Sequence, residues 1–317
     1  MEPVNNQPAS FGQGRINTCD IILPTYKKDQ SLKQALSALH AQIIPHHWAV
    51  RVIVCDDGSP SASQDIVDGF VWTRQWIAPF VIPLAHVGRA RARNAGIAKA
   101  TADIILFLAD DILLRQGSLN AHLVFHENNP DAHAAAVGWV LWDPRIRPTP
   151  FMEWMTHGGQ QNNYDALLGQ AECDAHSYFY GSHVSVKRAL MQGDVFSEKF
   201  TAYGWEDLEL GGRLQAKGMR LSVLQSASAL HAHWYGAEEL LLRQQMIGAQ
   251  KYLVNTNTAR IVRHALYQLS GTRFLCILIM KIWGNKLNIP SFFQFVIAGE
   301  FWYGVHHANK VLKRKKQ

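Results

Sequence analysis

Four short polar clusters in this sequence carry residue types that could do chemistry. Asp110 and Asp111 stand side by side directly after the apolar run 103–108 (DIILFL). Two adjacent carboxylates repel each other unless a cation or hydrogen-bond donors compensate. Oxygen ligands suit a hard cation such as Mg²⁺ or Mn²⁺, which would also hold waters and phosphate oxygens. An isolated Asp pair is ordinarily plain turn chemistry, so its weight comes from the other clusters. Glu206 and Asp207 open a stretch in which Leu208, Leu210 and Leu214 are set to be buried. That places a general base and a positioning acid at the start of a helix, against the plainer reading of a cap followed by a solvated acid. His231 and His233 lie two apart on an extended segment, so both rings can share one face, and either could complete a metal site begun by the aspartates. Asp56 and Asp57 end a third apolar run and lead into Gly58-Ser59.

The elements that must position these groups read as alternating strands and helices. Strands are expected at 19–23, 51–55, 80–84 and 103–108, and helices at 29–42, 61–76 and 90–100. Such alternation predicts right-handed βαβ units and a mainly parallel, Rossmann-like central sheet flanked by helices. Ligands bind beyond the C-terminal strand ends of such sheets. Pro24-Thr25-Tyr26, Asp56-Asp57 and Asp110-Asp111 all fall there. The second half is less regular. It predicts strands at 134–141, 178–186 and 220–224, with a helix starting near Lys187 and others at 207–217 and 237–254. A Pro- and Gly-containing loop is expected over 144–163, long enough to be functional.

The chain has 317 residues, 48% hydrophobic and 18% charged, enough for one large or two ordinary globular domains. Its net charge of +6 is concentrated at Lys310, Lys313, Arg314, Lys315 and Lys316. The body is nearly neutral, which argues against a nucleic-acid-binding face. Arg89, Arg91 and Arg93 would not form one basic stripe on a helix, because alternate residues diverge by about 200°. The four cysteines are widely spaced, which predicts free thiols in a reducing compartment. Residues 1–17 read as a flexible leader without the marks of a signal or transit peptide. After about residue 256 the runs 274–280 and 292–305 are apolar but too short to span a bilayer. With the basic tail they predict either an interfacial anchor on an anionic leaflet or helices packed on the main domain or on a second subunit of a homo-oligomer.

Six stretches in this order resemble the inverting, nucleotide-sugar-dependent glycosyltransferases of family 2: CDIILPTYKKDQSLKQAL, VIVCDDGSPS, GRARARNAGIAKATADIILFLADDIL, YGSHVSVKRALM, FSEKFTAYGWEDLELGGRLQAKG and ALHAHWYG. The resemblance implies a GT-A fold over residues 18–255, followed by a helical extension over 256–317. It implies transfer of a sugar from a nucleoside-diphosphate donor, UDP-linked as first choice, to a hydroxyl of a saccharide or lipid-linked acceptor in polysaccharide, glycolipid or glycoconjugate synthesis. The expected location is the cytoplasm, including the inner face of the membrane.

By position, Pro24, Thr25 and Tyr26 resemble the first nucleotide-contacting loop. Asp57, with Asp56 beside it, resembles the acid that reads the base. Arg93 and Asn94 resemble the segment steadying the diphosphate, and Asp110 lies near the ribose. Asp111 resembles the metal-binding acid, and His231 or His233 the late metal ligand, for Mn²⁺ or Mg²⁺. Asp207 resembles the catalytic base. Glu206, Trp205 and the Gly181-Ser182-His183 segment resemble the acceptor side. Ala109 stands where the first acid of the Asp-x-Asp form is frequent, His183 where Asn is common, and Ser197 where Asp is frequent. The competing readings are a nucleotidyltransferase, which would need a Gly-rich basic loop where this chain has Pro-Thr-Tyr-Lys-Lys, and an inactive sugar-nucleotide binder, which would leave Glu206 and Asp207 idle. The segment from Trp142 to Tyr164 is expected to close over donor or acceptor.

Overall fold

The computed structural model describes residues 17–61, 63–72, 76–157, 163–193, 195–251 and 270–308. All but the last residue of the expected leader, the start of the extension and the basic tail lie outside these residues.

The first half lays down β1 (Asn17–Thr25), α1 (Asp29–His40), β2 (Trp48–Asp56), α2 (Ser63–Asp68), β3 (Trp76–Pro83), α3 (Arg89–Lys99) and β4 (Ile104–Leu108). There follow β5 (Ile112–Leu114), α4 (Ser118–Asn128), β6 (Ala134–Trp142), α5 (Pro150–Thr156), β7 (Glu172–Cys173), α6 (Ala175–Tyr178), β8 (His183–Lys187), α7 (Glu206–Ala216) and β9 (Arg220–His231). The chain continues through α8 (Ala237–Gln250), α9 (Ser270–Trp283) and α10 (Pro290–His306).

These strands form one nine-stranded sheet in the order β3-β2-β1-β4-β8-β6-β9-β5, with β7 on β9. The pairings β1–β2, β1–β4, β2–β3 and β6–β9 are parallel. β8 runs antiparallel between β4 and β6, so β4 and β6 point the same way. This is the mainly parallel α/β sheet expected. β4 is buried along its whole length, as a strand covered on both faces must be. Leu32, Ala35, Leu36 and Leu39 give α1 its buried stripe. Each such leucine contributes about 1.5–3 kcal/mol on burial.

Several local expectations are corrected. The helix expected over 61–76 is only α2, because Gly69 and Phe70 close it with turns onto Asp65 and Val67. The strand that follows starts at Trp76 and tolerates Pro79 because it is the sheet edge. The strand expected over 178–186 is instead the end of α6, a turn and β8, followed by a single 3₁₀ turn at Arg188–Met191. β9 runs on past Leu224 to His231 after an irregularity opposite Gly138 and Trp139. α4 has no counterpart among the expected elements.

The loop expected over 144–163 contains α5. Thr149 caps it by accepting from the Met152 amide, and Pro150 takes the first position, where a missing N–H costs nothing. α5 buries Phe151, Met152 and Met155 in a second core with Tyr235, Leu240 and Leu241, together with Cys276, Met280, Phe293, Val296 and Ile297 from the C-terminal helices. Packing on the main body is therefore what one face of those helices does. α8 and α10 approach so closely that a Cβ on Gly248 would lie 1.9 Å from the Phe301 carbonyl oxygen, and one on Gly304 as close to that of Gln245. The four cysteines are unpaired, three buried and Cys173 half-buried.

Candidate active site

Six strands, β1 to β4, β6 and β9, point toward one edge of the sheet. Thr25, Asp56 and His231 end three of them, and Asp110 and Asp111 follow a fourth. The polar clusters scattered along the chain are thus brought to a common rim.

At its centre the Thr25 hydroxyl donates to Asp110 Oδ2 at 2.8 Å. The Lys28 ammonium lies 2.7 Å from Asp111 Oδ2 and 3.4 Å from Asp110 Oδ1. His231 Nε2 stands 3.8 Å from Asp111 Oδ1. Main-chain register holds this last pair: Ile112 pairs with His231, and the Ala232 amide donates to the Asp111 carbonyl. Trp142 stacks on the His231 ring at 4.9 Å and 10°. Burial by itself would raise the Asp111 carboxyl, but His231 and Lys28 outweigh it and hold Asp111 well below the usual carboxylate range. Burial and the charge of Asp111 push Asp110 the other way. Asp111 and His231 offer an oxygen and a nitrogen donor side by side, and the Lys28 ammonium between the two carboxylates marks a place that favours positive charge. These groups fit a divalent cation that draws its remaining ligands from outside the protein, as hard cations with few protein ligands do. Among the described residues no three His, Cys, Asp or Glu side chains form a complete cage.

The second acidic group is built at the N-terminus of α7. Gly204 and Trp205 both take positive φ, 106° and 74°, a sharp turn that brings Glu206 and Asp207 to the rim. The Trp205 indole donates to the Ile247 carbonyl at 2.8 Å, which holds this turn against α8. Glu206 is buried and ion-paired with Arg93 at 3.2 Å, while Arg93 also donates to the Gly181 carbonyl. Asp207 Oδ2 accepts from the Gly181 amide at 3.2 Å. Burial first, and then the charge of Glu206, push Asp207 up to about 6. A Cβ on Gly181 would sit 3.2 Å from Arg93 Cζ and 3.3 Å from Asp207 Cβ, so both groups pack tightly against this turn.

The two acidic groups meet through the backbone. Ser182, next to Gly181, accepts at its carbonyl from the amide of Ala109, next to Asp110, at 3.0 Å. Asp111 and Asp207 therefore flank the same junction of β4 and β8. Cations line it as well. Arg89 lies 3.8 Å from Glu206 and over the Tyr203 ring, and Arg243 covers Tyr203 at 4.0 Å and Tyr235 at 5.1 Å. Burial and then Arg89 lower Arg243 to about 9, with Asp111 acting against them.

The remaining expected residues are distributed as follows. Pro24 lies in β1 opposite Cys55, and Tyr26 stacks on His86 at 4.2 Å. Asp57 accepts from the Val87 and Gly88 amides, so it shapes the entry to α3 beneath that stack. Asp56 ties its own turn by accepting from the Ser59 amide and the Ser63 hydroxyl. Asn94 spends its amide on both main-chain groups of Phe196, 2.9 Å each.

Two placements differ from what the sequence suggests. His183, expected on the acceptor side, is fully buried on β8, and its ring meets His122 on α4 at 3.1 Å. His233 does not join His231 at Asp111; it pairs with Glu239 at 3.1 Å, since β9 ends at His231 and the alternation of faces ends with it. Lys28, Arg89 and Arg243 lie at the same rim, although the sequence reading names none of them as a candidate. Arg243 follows the apolar run Leu240-Leu241-Leu242 and is succeeded by Gln244-Gln245, so nothing in the sequence marks it as buried.

A sequence model of the family described as Glycosyl transferase family 2 matches residues 20–189. Validoxylamine A glucosyltransferase of Streptomyces hygroscopicus subsp. limoneus is 24% identical over 80% of this chain and 60% of its own. Pre-mycofactocin glycosyltransferase of Mycobacterium tuberculosis (strain CDC 1551 / Oshkosh) is 27% identical over 88% of this chain and 56% of its own. The chain thus spans less than two thirds of these relatives. Among solved structures, the mannosyltransferase PcManGT from Pyrobaculum calidifontis, in complex with GDP-Man and Mn²⁺, superposes with a TM-score of 0.54 at 16% identity, covering 92% of this chain and 88% of that one. S. aureus TarS 1–349 with UDP gives 0.51 at 15%, covering 95% and 92%. At such identities the likeness shows the fold, which is the GT-A arrangement.

Proposed function

The chain belongs to glycosyl transferase family 2, and on that premise we propose that it moves a sugar from a nucleoside-diphosphate donor to an acceptor hydroxyl with inversion at the anomeric carbon. The catalytic unit is residues 18–255, with the helices after 256 appended to it. A UDP-sugar is the proposed donor, and a saccharide or lipid-linked saccharide the proposed acceptor. The observation that carries this reading is the Gly181-Ser182 turn, which Asp207 contacts from one side and the Ala109-Asp110-Asp111 segment from the other.

In this reading the base lies at the Tyr26–His86 stack near Asp57, and the diphosphate at the Asp110-Asp111 end. Bound by Asp111 and His231, Mn²⁺ or Mg²⁺ would supply positive charge to the departing diphosphate. Lys28, Arg89 and Arg243 add fixed positive charge around it. Arg93 acts on the other side, by holding Glu206 and the Gly181 turn so that Asp207 keeps its place. Asp207 takes the proton of the acceptor hydroxyl as its oxygen bonds to the anomeric carbon and the bond to the diphosphate oxygen breaks. A value of about 6 leaves Asp207 ionised at neutral pH while still basic enough to accept a proton. Such general base catalysis is worth roughly 10²–10⁴-fold.

The test is a panel of nucleotide sugars read by thermal stabilisation with and without Mn²⁺, followed by the anomeric configuration of any product. One donor is expected to raise the melting temperature in a metal-dependent way and to yield the inverted linkage. A retained configuration, or no stabilisation by any donor, would reject the reading.

A further inference from the structure

We infer that α9 docks the protein on an anionic lipid bilayer surface, with Phe274, Leu275, Leu278 and Ile282 entering the interface. This goes beyond sugar transfer and does not depend on it.

α9 is turned so that Cys276 and Met280 are buried in the second core. On the far side Phe274, Leu275, Leu278 and Ile282 are exposed, Phe274 by 68% and Ile282 by 60%. At 100° per residue these four fall within an arc of about 100°. The buried pair lies opposite. Trp283, the last residue of the helix, and Ile289 beyond it are exposed as well. Large apolar side chains gathered on one outward face call for an occupant.

Charge selects which one. From residue 256 to the end the sequence has ten Lys and Arg and a single acid, Glu300. That acid is buried, where the Arg273 guanidinium donates to it at 3.0 Å and Gln245 also meets it. Lys281 flanks the apolar stripe, paired at its tip with Glu238, and Lys286 is exposed just beyond it. The described helix thus exposes apolar side chains within a stretch of sequence that is rich in basic residues and has no acid but the buried Glu300, a combination that matches a negatively charged leaflet. α9 has 14 residues, about 21 Å long, too short for a hydrocarbon core of about 30 Å, so it lies on the surface and does not cross it. No helix among the described residues is long and apolar enough to cross a membrane.

The test uses the full chain with vesicles of phosphatidylcholine, with and without phosphatidylglycerol, read by co-sedimentation. Binding to the anionic vesicles is expected to be about tenfold stronger or more, and to weaken with salt. The triple variant Leu275→Ser, Leu278→Ser, Ile282→Ser is expected to lose that binding at an unchanged melting temperature, since all three side chains are exposed. Replacing Lys313, Arg314, Lys315 and Lys316 by Gln is expected to remove the preference for anionic lipid. Equal binding to both vesicles, or to neither, would overturn the inference. So would a dimer seen by light scattering that the triple variant dissolves in a chain that ignores vesicles, because the occupant would then be a second copy.

Discussion

The Lys28 ammonium lies 2.7 Å from Asp111 Oδ2, on the carboxylate that also faces His231. A fixed cation therefore competes with any mobile one for the same oxygen. Lys28→Met is expected to tighten binding of Mn²⁺ alone, measured by calorimetry, while Asp111→Asn abolishes it. Unchanged Mn²⁺ affinity in the Lys28 variant would mean that the ammonium does not occupy the cation's place.

Asp207→Asn is expected to keep donor binding and lose roughly 10²–10⁴-fold in turnover. In the unmodified protein kcat/KM should fall about tenfold per pH unit below about 6, as Asp207 becomes protonated. A flat profile between about pH 5 and pH 7 would exclude Asp207 as the base.

The same carboxyl makes a stability signature. Its folded value is raised above the ordinary one, so its contribution is fully present at low pH and is lost as pH rises through about 6. Asp207→Asn should therefore melt higher than the unmodified chain at about pH 8 and not at about pH 4. Melting curves at the two pH values read this directly.

Glu206→Ala is expected to behave differently. It leaves the Arg93 guanidinium buried without its ion-pair partner, a loss on the order of 3–5 kcal/mol. Denaturant unfolding should show a large drop in midpoint, and Glu206→Gln a smaller one. A Glu206→Ala chain as stable as the original would show that the pair contributes nothing to the fold.

Beneath the sheet His122, His126 and His183 form a buried cluster around Ser185. Burial holds His122 down at about 3 and His126 at about 2. The unfolded chain takes up protons below about 6.5 that the folded one refuses, so stability present above that pH is lost as pH falls toward 3. His126→Gln retains a partner for Ser185 and cannot titrate. Its unfolding free energy should fall less steeply between about pH 6 and pH 4, by up to about 1.4 kcal/mol per pH unit.

The residues that could be read in advance share one property: they sit where a strand stops. Asp56, Asp110, Asp111 and His231 each follow or close an apolar run, and a parallel sheet sends such positions to one edge whatever the tertiary detail. Arg243 and His183 lie inside elements, where facing is decided by partners far along the chain. The family resemblance puts His183 with Gly181 and Ser182 on the acceptor side, while its position on β8 sets its ring against His122 of α4. His233 was grouped with His231 by a two-residue period that holds only while the strand lasts. The prolines at 144, 148 and 150 suggested loop, but Thr149-Pro150 is a helix start. The resemblance gives Arg93 to the segment that steadies the diphosphate; the partners of its buried guanidinium, Glu206 and the Gly181 carbonyl, come from far along the chain.

β9 is divided by the irregularity opposite Gly138 and Trp139, where Leu224 and Ser228 become neighbours of consecutive β6 residues and 225–227 have no counterparts. Length changes at those three positions can be absorbed there, because pairing restarts downstream. One residue added between Ala229 and His231 would instead rotate the imidazole to the opposite face of the sheet. Tolerance to insertion should thus switch from permissive to prohibitive within a few residues of a single strand.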